Sequence, residues 1–281
     1  MVFLLLLILN FKIFTLEKYS LIDDIGTNHI IEKVPQRIIS LVPSQTELLV
    51  DLGLESKIVG ITKFCIHPKE LRKEKTIVGG TKKVDYDKIK ALAPDIIICN
   101  KEENTLEIVE NLRAICTVWV TDIITIEGNF KMITDFGNLF DCVVIAQKLN
   151  TKLSLALNDF KQFIAEKPIK KIAYFIWKNP YMVTGSGTFI NELLQLNHFE
   201  NVFANQSRYP EVNLQKINEN GNLDCVLLSS EPYPFKEKDI LEIIPFCPEA
   251  KVVLVDGEMF SWHGSRLLKA LNYFKELHQK L

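Results

Sequence analysis

The segment CVVIAQKLNTKLSLALNDFKQFIAEK, residues 142–167, contains neither glycine nor proline. Val144, Ile145, Leu149, Leu153, Leu157, Phe160 and Ile164 fall mostly at three- or four-residue steps, so one face of a helix collects them. At about 1.5 Å per residue such a helix runs roughly 40 Å, and Pro168 ends it. What it connects is read from the sequence on either side.

Upstream, β-branched runs alternate with helical patterns. RIISLV (37–42) leads into SQTELLVDLGL and then KIVGI (57–61), DYDKIKALAP precedes DIIIC (95–99), and EENTLEIVENLRAI precedes TVWV (117–120). Downstream the rhythm repeats. KIAYFIW (171–177) leads to TFINELLQLNHF, NLQKINENGN precedes LDCVLLS (223–229), and EKDILEIIPF precedes KVVLVD (251–256). A helical stripe, SRLLKALNYFKELHQKL, closes the chain. Strand–helix–strand repeats with short connections predict parallel-rich sheets flanked by helices. The expected architecture is α/β: lobes over 19–141 and 168–281 joined by one long backbone helix over 142–167, with an apolar segment over 1–18.

The chain has 281 residues, 47% apolar and 24% charged, with a formal net charge of −2. That supports sizeable cores and offers no electrostatic footprint for nucleic acid. VFLLLLIL (2–9) is too short for a membrane span, has no basic residues before it and is followed by no small-residue cleavage site. Three readings stay open: an export signal, a membrane-associating tail, or translated sequence upstream of the true start. The six cysteines show no CxxC pair and no metal-ligand spacing, which predicts buried free thiols and favours a reducing compartment.

The loops after the strands draw the chemistry together. LVPSQTELL and WKNPYMVTGSGTFINELL occupy equivalent first turns of the two halves, CNKEEN (99–104) and SSEPYPF (229–235) equivalent later ones, and GEMFSWHGSRLLKA (257–270) follows the last strand. Such loops line the carboxyl rims of α/β sheets and here are expected to enclose a cleft between lobes.

With those segments in view, the sequence resembles the solute-binding proteins of the cobalamin and ferric-siderophore type that serve ABC importers. The resemblance spans about residues 20–279 and opens with IDDIGTNHIIEKVPQRIISLVPSQTELLVDLGL (22–54), a small hairpin followed by a P-x-RIISL strand and a P-S-x-T-E turn. VGITKFCIHP, VGGTKKVDYDKIKALAPDIIICNKEEN and FSWHGSRLL look like a cobalamin-binding-like subgroup. The resemblance implies a non-catalytic monomeric receptor in the periplasm or cell envelope, closing only modestly on a metal chelate: a corrinoid, a ferric siderophore or haem. It also implies docking onto a permease through one carboxylate per lobe. Those positions fall at Asp87 and at Gln215, and the amide at Gln215 departs from the pattern.

A chelate needs large apolar faces. Trp177, Tyr181, Tyr209, Tyr233, Phe235, Phe260 and Trp262 all lie in the expected cleft loops, and burying one face of about 150 Å² contributes around 4 kcal/mol before ordering costs. Lys63, Lys82, Lys101, Arg208 and Arg266 sit beside them as partners for ligand carboxylates or phosphates. Cys65 and His67 are two apart and share a face if the segment is extended. His67 reads first as a hydrogen-bonding cleft residue; as an alternative, His67 or His263 is the candidate axial ligand to a chelated metal, and no set for a bare metal ion is apparent. Glu102 and Glu103 are open to two readings, helix capping or ligand contact, with Glu103 the candidate contact. SSEPYPF has no nucleophile elbow, and TGSGTF (184–189) does not fit a nucleotide-binding loop. Two alternatives accompany the receptor reading: a cytoplasmic or membrane-tethered corrinoid-salvage or sensing protein, and an enzyme acting on the ligand through Cys65, His67 or Glu103.

Overall fold

The computed structural model describes residues 19–219 and 221–281. The apolar opening segment, with the export and membrane-association readings that rest on it, lies outside them. Among the described residues no helix is long and apolar enough to cross a membrane.

β1 (Tyr19–Ile22) and β2 (Asn28–Ile31) form an antiparallel hairpin. The first lobe continues through β3 (Ile38–Ser40), α1 (Pro43–Asp51), β4 (Ile58–Ile61), α2 (Leu71–Glu74), β5 (Thr76–Ile77), α3 (Tyr86–Ala91), β6 (Ile96–Asn100), α4 (Leu106–Arg113) and β7 (Thr117–Thr121). Its sheet has the order β5-β4-β3-β6-β7, with every pair parallel. Two helices follow, α5 (Ile126–Leu139) and α6 (Val143–Ile164).

The second lobe carries β8 (Lys170–Trp177), β9 (Met182–Val183), α7 (Phe189–Leu196), β10 (Phe199–Asn201), β11 (Cys225–Ser229), α8 (Glu237–Ile243), β12 (Lys251–Val255), α9 (Gly257–Ser261) and α10 (Leu267–Lys280). Its sheet runs β10-β8-β11-β12 in parallel, with β9 antiparallel on β8. In NLQKINENGN, expected to be helical, the described residues form only a 3₁₀ turn at Leu214–Lys216, where the Asn213 side chain takes the Gln215 amide.

Side chains alternate across the central strands. Ile96, Ile98, Ile172, Tyr174, Cys225 and Leu227 enter one large apolar cluster that also takes in Leu153, Leu157 and Phe160 of α6. Ile97 and Cys99 turn to the opposite face of the first sheet, and Ala173, Phe175, Val226 and Leu228 to that of the second. Both sheets are therefore buried on both faces, as parallel sheets require, and their inner faces share a core through α6. That helix spans 22 residues, about 33 Å. Its stripe departs from the expected one at the start: Val144 and Ile145 are exposed and Ala146 is buried. The cause is Gly137 of α5, where an added Cβ would sit 2.7 Å from the Ala146 Cβ. Helix starts are capped by Thr105, Thr125 and Thr188 side chains, each accepting a backbone amide one turn on.

All six cysteines are free thiols; Cys65, Cys99, Cys225 and Cys247 are buried.

Candidate ligand-binding cleft

In each sheet the strand order reverses beside the first strand of the lobe, between β3 and β6 and between β8 and β11. Loops leaving neighbouring strands there diverge and leave a crevice. The two crevices face each other and merge into a cleft of about 690 Å³. One wall is Pro43 and Ser44 after β3, Phe64 and Ile66 after β4, Thr81 and Lys82, Asn100, Glu102 and Glu103 after β6, and Ile123 after β7. The other is Ile176 and Trp177 ending β8, Phe189 and Ile190 opening α7, Tyr209 in the loop after β10, Glu231 and Pro232 after β11, and Ser261, Trp262 and His263 around the end of α9.

Of the candidates named from sequence, Lys82, Glu102, Glu103, Trp177, Tyr209, Trp262 and His263 line this cleft. Others are engaged elsewhere. Phe260 is fully buried, its ring 4.8 Å from Phe274 and 5.0 Å from Tyr174, so it closes the core of its lobe instead of meeting a ligand. Phe235 is likewise a core residue, edge-on to Phe175, and Tyr181 packs there with its hydroxyl on Glu242. Tyr233 supports Trp177 from behind, ring centroids 5.9 Å apart. Lys63 lies over the Phe64 ring at 4.9 Å. Lys101 pairs with Asp122 at 2.6 Å, and Arg208 with Glu102 at 3.3 Å.

Arg266 requires the largest correction. It is 3% exposed, donates to both Glu47 carboxylate oxygens at 2.7 and 3.1 Å, and reaches Glu258 at 2.8 Å. Its donors are committed to these carboxylates, so it is not free to meet ligand anions. The Cys65 and His67 pairing fails as well, because 62–66 is a turn and not a strand. Cys65 faces the core between the Thr46 and Thr62 hydroxyls, and burial pushes its thiol up. His67 Nε2 is held by Glu258 at 2.9 Å, which removes that nitrogen from the axial-ligand role expected for it.

The sequence reading missed Phe64, Phe189 and Glu231. Phe64 sits beside the more conspicuous Cys65 and His67, Phe189 reads as part of a helical stripe, and Glu231 lies in a loop whose serines draw the eye first. Phe64 and Glu231 share one signal, position just past a strand, and Phe189 opens the helix that follows β9. The CNKEEN loop is stapled by its asparagines: Asn100 Oδ1 accepts the Glu102 and Glu103 amides at 2.9 and 3.2 Å, and Asn104 accepts the Asn100 amide. Thr105 does the capping, so Glu103 is left facing the cleft. In TGSGTF the amides of Gly185 and Ser186 donate to Arg208 and Gln206 carbonyls, which takes two of the loop's donors away from an anion.

The periplasmic binding protein family matches residues 38–246, most of the chain. This chain belongs to that family. Among curated relatives of this periplasmic binding protein, an uncharacterised ABC transporter substrate-binding lipoprotein of Bacillus subtilis is 25% identical over 266 residues, covering 91% of this chain and 84% of that one. A vitamin B12-binding protein of Vibrio campbellii is 24% identical over 186 residues, covering 65% of this chain and 66% of that one. Among solved structures, the periplasmic vitamin B12-binding protein of Vibrio cholerae superposes with a TM-score of 0.74 at 21% identity, covering 88% of this chain and 99% of that one. A periplasmic heme-binding protein of Pseudomonas aeruginosa gives 0.76 at 20% identity, covering 86% and 92%. These likenesses establish the two-lobed fold.

Electrostatics distinguish this periplasmic binding protein's cleft from a plain apolar slot. Glu231 Oε1 accepts from Ser261 Oγ at 2.5 Å and Trp262 Nε1 at 2.9 Å. Burial, with Glu258 and Glu103 nearby, pushes its carboxyl up to about 7. Burial also raises the Glu103 carboxyl. His263 lies 3.3 Å from Ser44 Oγ, and burial pushes it down to about 4, so it is a neutral imidazole at pH 7. Across the mouth, the Tyr209 hydroxyl donates to Glu102, and burial beside that carboxylate keeps it protonated. Among the described residues no group of three or more His, Cys, Asp or Glu is placed to hold a bare metal ion.

Proposed function

We propose that this protein is a non-catalytic receptor that captures a metal chelate between its lobes and passes it to an ABC importer at the cell envelope. The observation that carries the reading is the aromatic lining of the inter-lobe cleft, with Phe64 on one wall and Trp177, Phe189, Tyr209 and Trp262 on the other. Flat or globular chelates offer the apolar area such walls cover. The names of the relatives, binders of vitamin B12 and heme, favour the same ligand class. His263 supplies a neutral imidazole at the cleft wall, the form that can approach a chelated metal.

Transfer to a permease would use exposed groups on both lobes: Asp87 in the first turn of α3 and, opposite, the stretch around Gln215. Glu219 in that stretch is paired with Lys216 at 3.3 Å, while Glu211 is exposed.

Calorimetric titration of the full chain with cobalamin, cobinamide, haem and ferric siderophores tests the proposal. Micromolar or tighter binding of one class is expected. Trp262→Ala should weaken it by about tenfold to a hundredfold, the usual range for removing a buried aromatic contact. Unchanged affinity in that variant would remove Trp262 from the site.

A further inference from the structure

Resting on the receptor reading, we infer that this cleft selects neutral or cationic chelates bearing amide or hydroxyl groups and rejects polyanionic ones, through Glu103 and Glu231. The charged side chains lining it are Lys82 on one side of the balance and Glu102, Glu103 and Glu231 on the other. The cations that sequence alone offered to a ligand anion are already engaged. Arg266 is locked between Glu47 and Glu258, Arg208 leans on Glu102, and Lys101 on Asp122. The Lys82 ammonium donates to the Glu102 backbone carbonyl at 2.6 Å.

The two glutamates face the cleft from opposite lobes, and the Glu103 charge is felt at Glu231. Glu231 uses one oxygen for both Ser261 and Trp262, which leaves its other oxygen for a ligand N–H or O–H. A ligand carboxylate or catecholate in the same place would meet like charge, a loss on the order of tenfold per carboxylate. Amide and hydroxyl groups match a carboxyl as donors and acceptors without that repulsion.

The test is titration at pH 8 and low salt with probes graded by charge. Cyanocobalamin and dicyanocobinamide are neutral, ferrioxamine B is cationic, haemin carries two propionates, and ferric enterobactin is a trianion. At least one neutral or cationic probe is expected to bind about a hundredfold tighter than both anionic ones. In the double variant Glu103→Gln/Glu231→Gln, which keeps an acceptor for Trp262, the gap should shrink by at least tenfold. The single Glu103→Gln variant repeats the comparison without touching the Trp262 contact. Tightest binding of haemin or ferric enterobactin by the wild-type chain overturns the charge inference and leaves the receptor reading standing. A gap unchanged in both variants overturns the assignment to these two glutamates. Failure of every probe to bind overturns the receptor reading and takes this inference with it.

Discussion

Glu231 and His263 lie on the same wall of the cleft, and burial drives them in opposite directions. Glu231 titrates near 7 when folded against 4.5 as an ordinary glutamate, so the folded state holds a proton that the unfolded chain releases. Its contribution to stability is therefore greatest below pH 4.5 and is lost as pH rises to 7. His263, pushed down from 6.5 to about 4, contributes stability above pH 6.5 that is lost on acidification. The two slopes oppose each other, and Glu231→Gln removes one of them. The variant should gain on the wild type between pH 4.5 and 7, by up to about 3 kcal/mol in urea melts at stepped pH. A constant difference across that range would mean Glu231 titrates normally. The same neighbourhood shows what residue-level reading of sequence misses. Phe260 and Trp262 are two apart in a loop, yet one turns to the core and the other to the cleft, because α9 is a single helical turn that rotates them apart. The partner that fixes Arg266 is Glu47, 219 residues away, and no local pattern announces it.

The long central strands, α1, α3, α4, α7, α8, α10 and the connecting helix were legible because period-2 and period-3.6 patterns are strong where an element is buried on a defined face, whereas β5, β9 and β10, two or three residues each, are too short to show a period. α5 was not. Ile126, Phe130, Met132, Ile133, Phe136 and Leu139 carry its apolar pattern, but Gly128, Asn129, Gly137 and Asn138 dilute it with poor helix formers. Packing against α6 overrides those propensities, and Gly137 is what permits the close approach. Gly137→Ala should cost about 1–3 kcal/mol in chemical denaturation, because the new methyl collides with Ala146. Pairing it with Ala146→Gly should recover part of that loss beyond the sum of the single variants. Strict additivity would show that the helices do not touch there.

Across the whole molecule the lobes are tied by more than their connecting helix. Arg266 reaches Glu47, His67 reaches Glu258, Tyr209 and Arg208 reach Glu102, and Asn129 binds the Gly264 backbone in both directions. These straps predict a nearly rigid receptor: small-angle scattering of the ligand-saturated chain should overlay that of the free chain. A large compaction would contradict the prediction. Arg266→Met should cost about 3 kcal/mol, since it takes the guanidinium from the almost wholly buried Glu47, leaving that carboxylate only the exposed Lys269, and leaves Glu258 only His67. The inner faces of the two sheets feed one apolar cluster through α6. A chimera joined at that helix would pair surfaces that never evolved together, and a half-chain expressed alone would carry Leu153, Leu157 and Phe160 into water. For protein engineering, the exchangeable cassette in this scaffold is therefore the loop at a strand's end, and never the lobe.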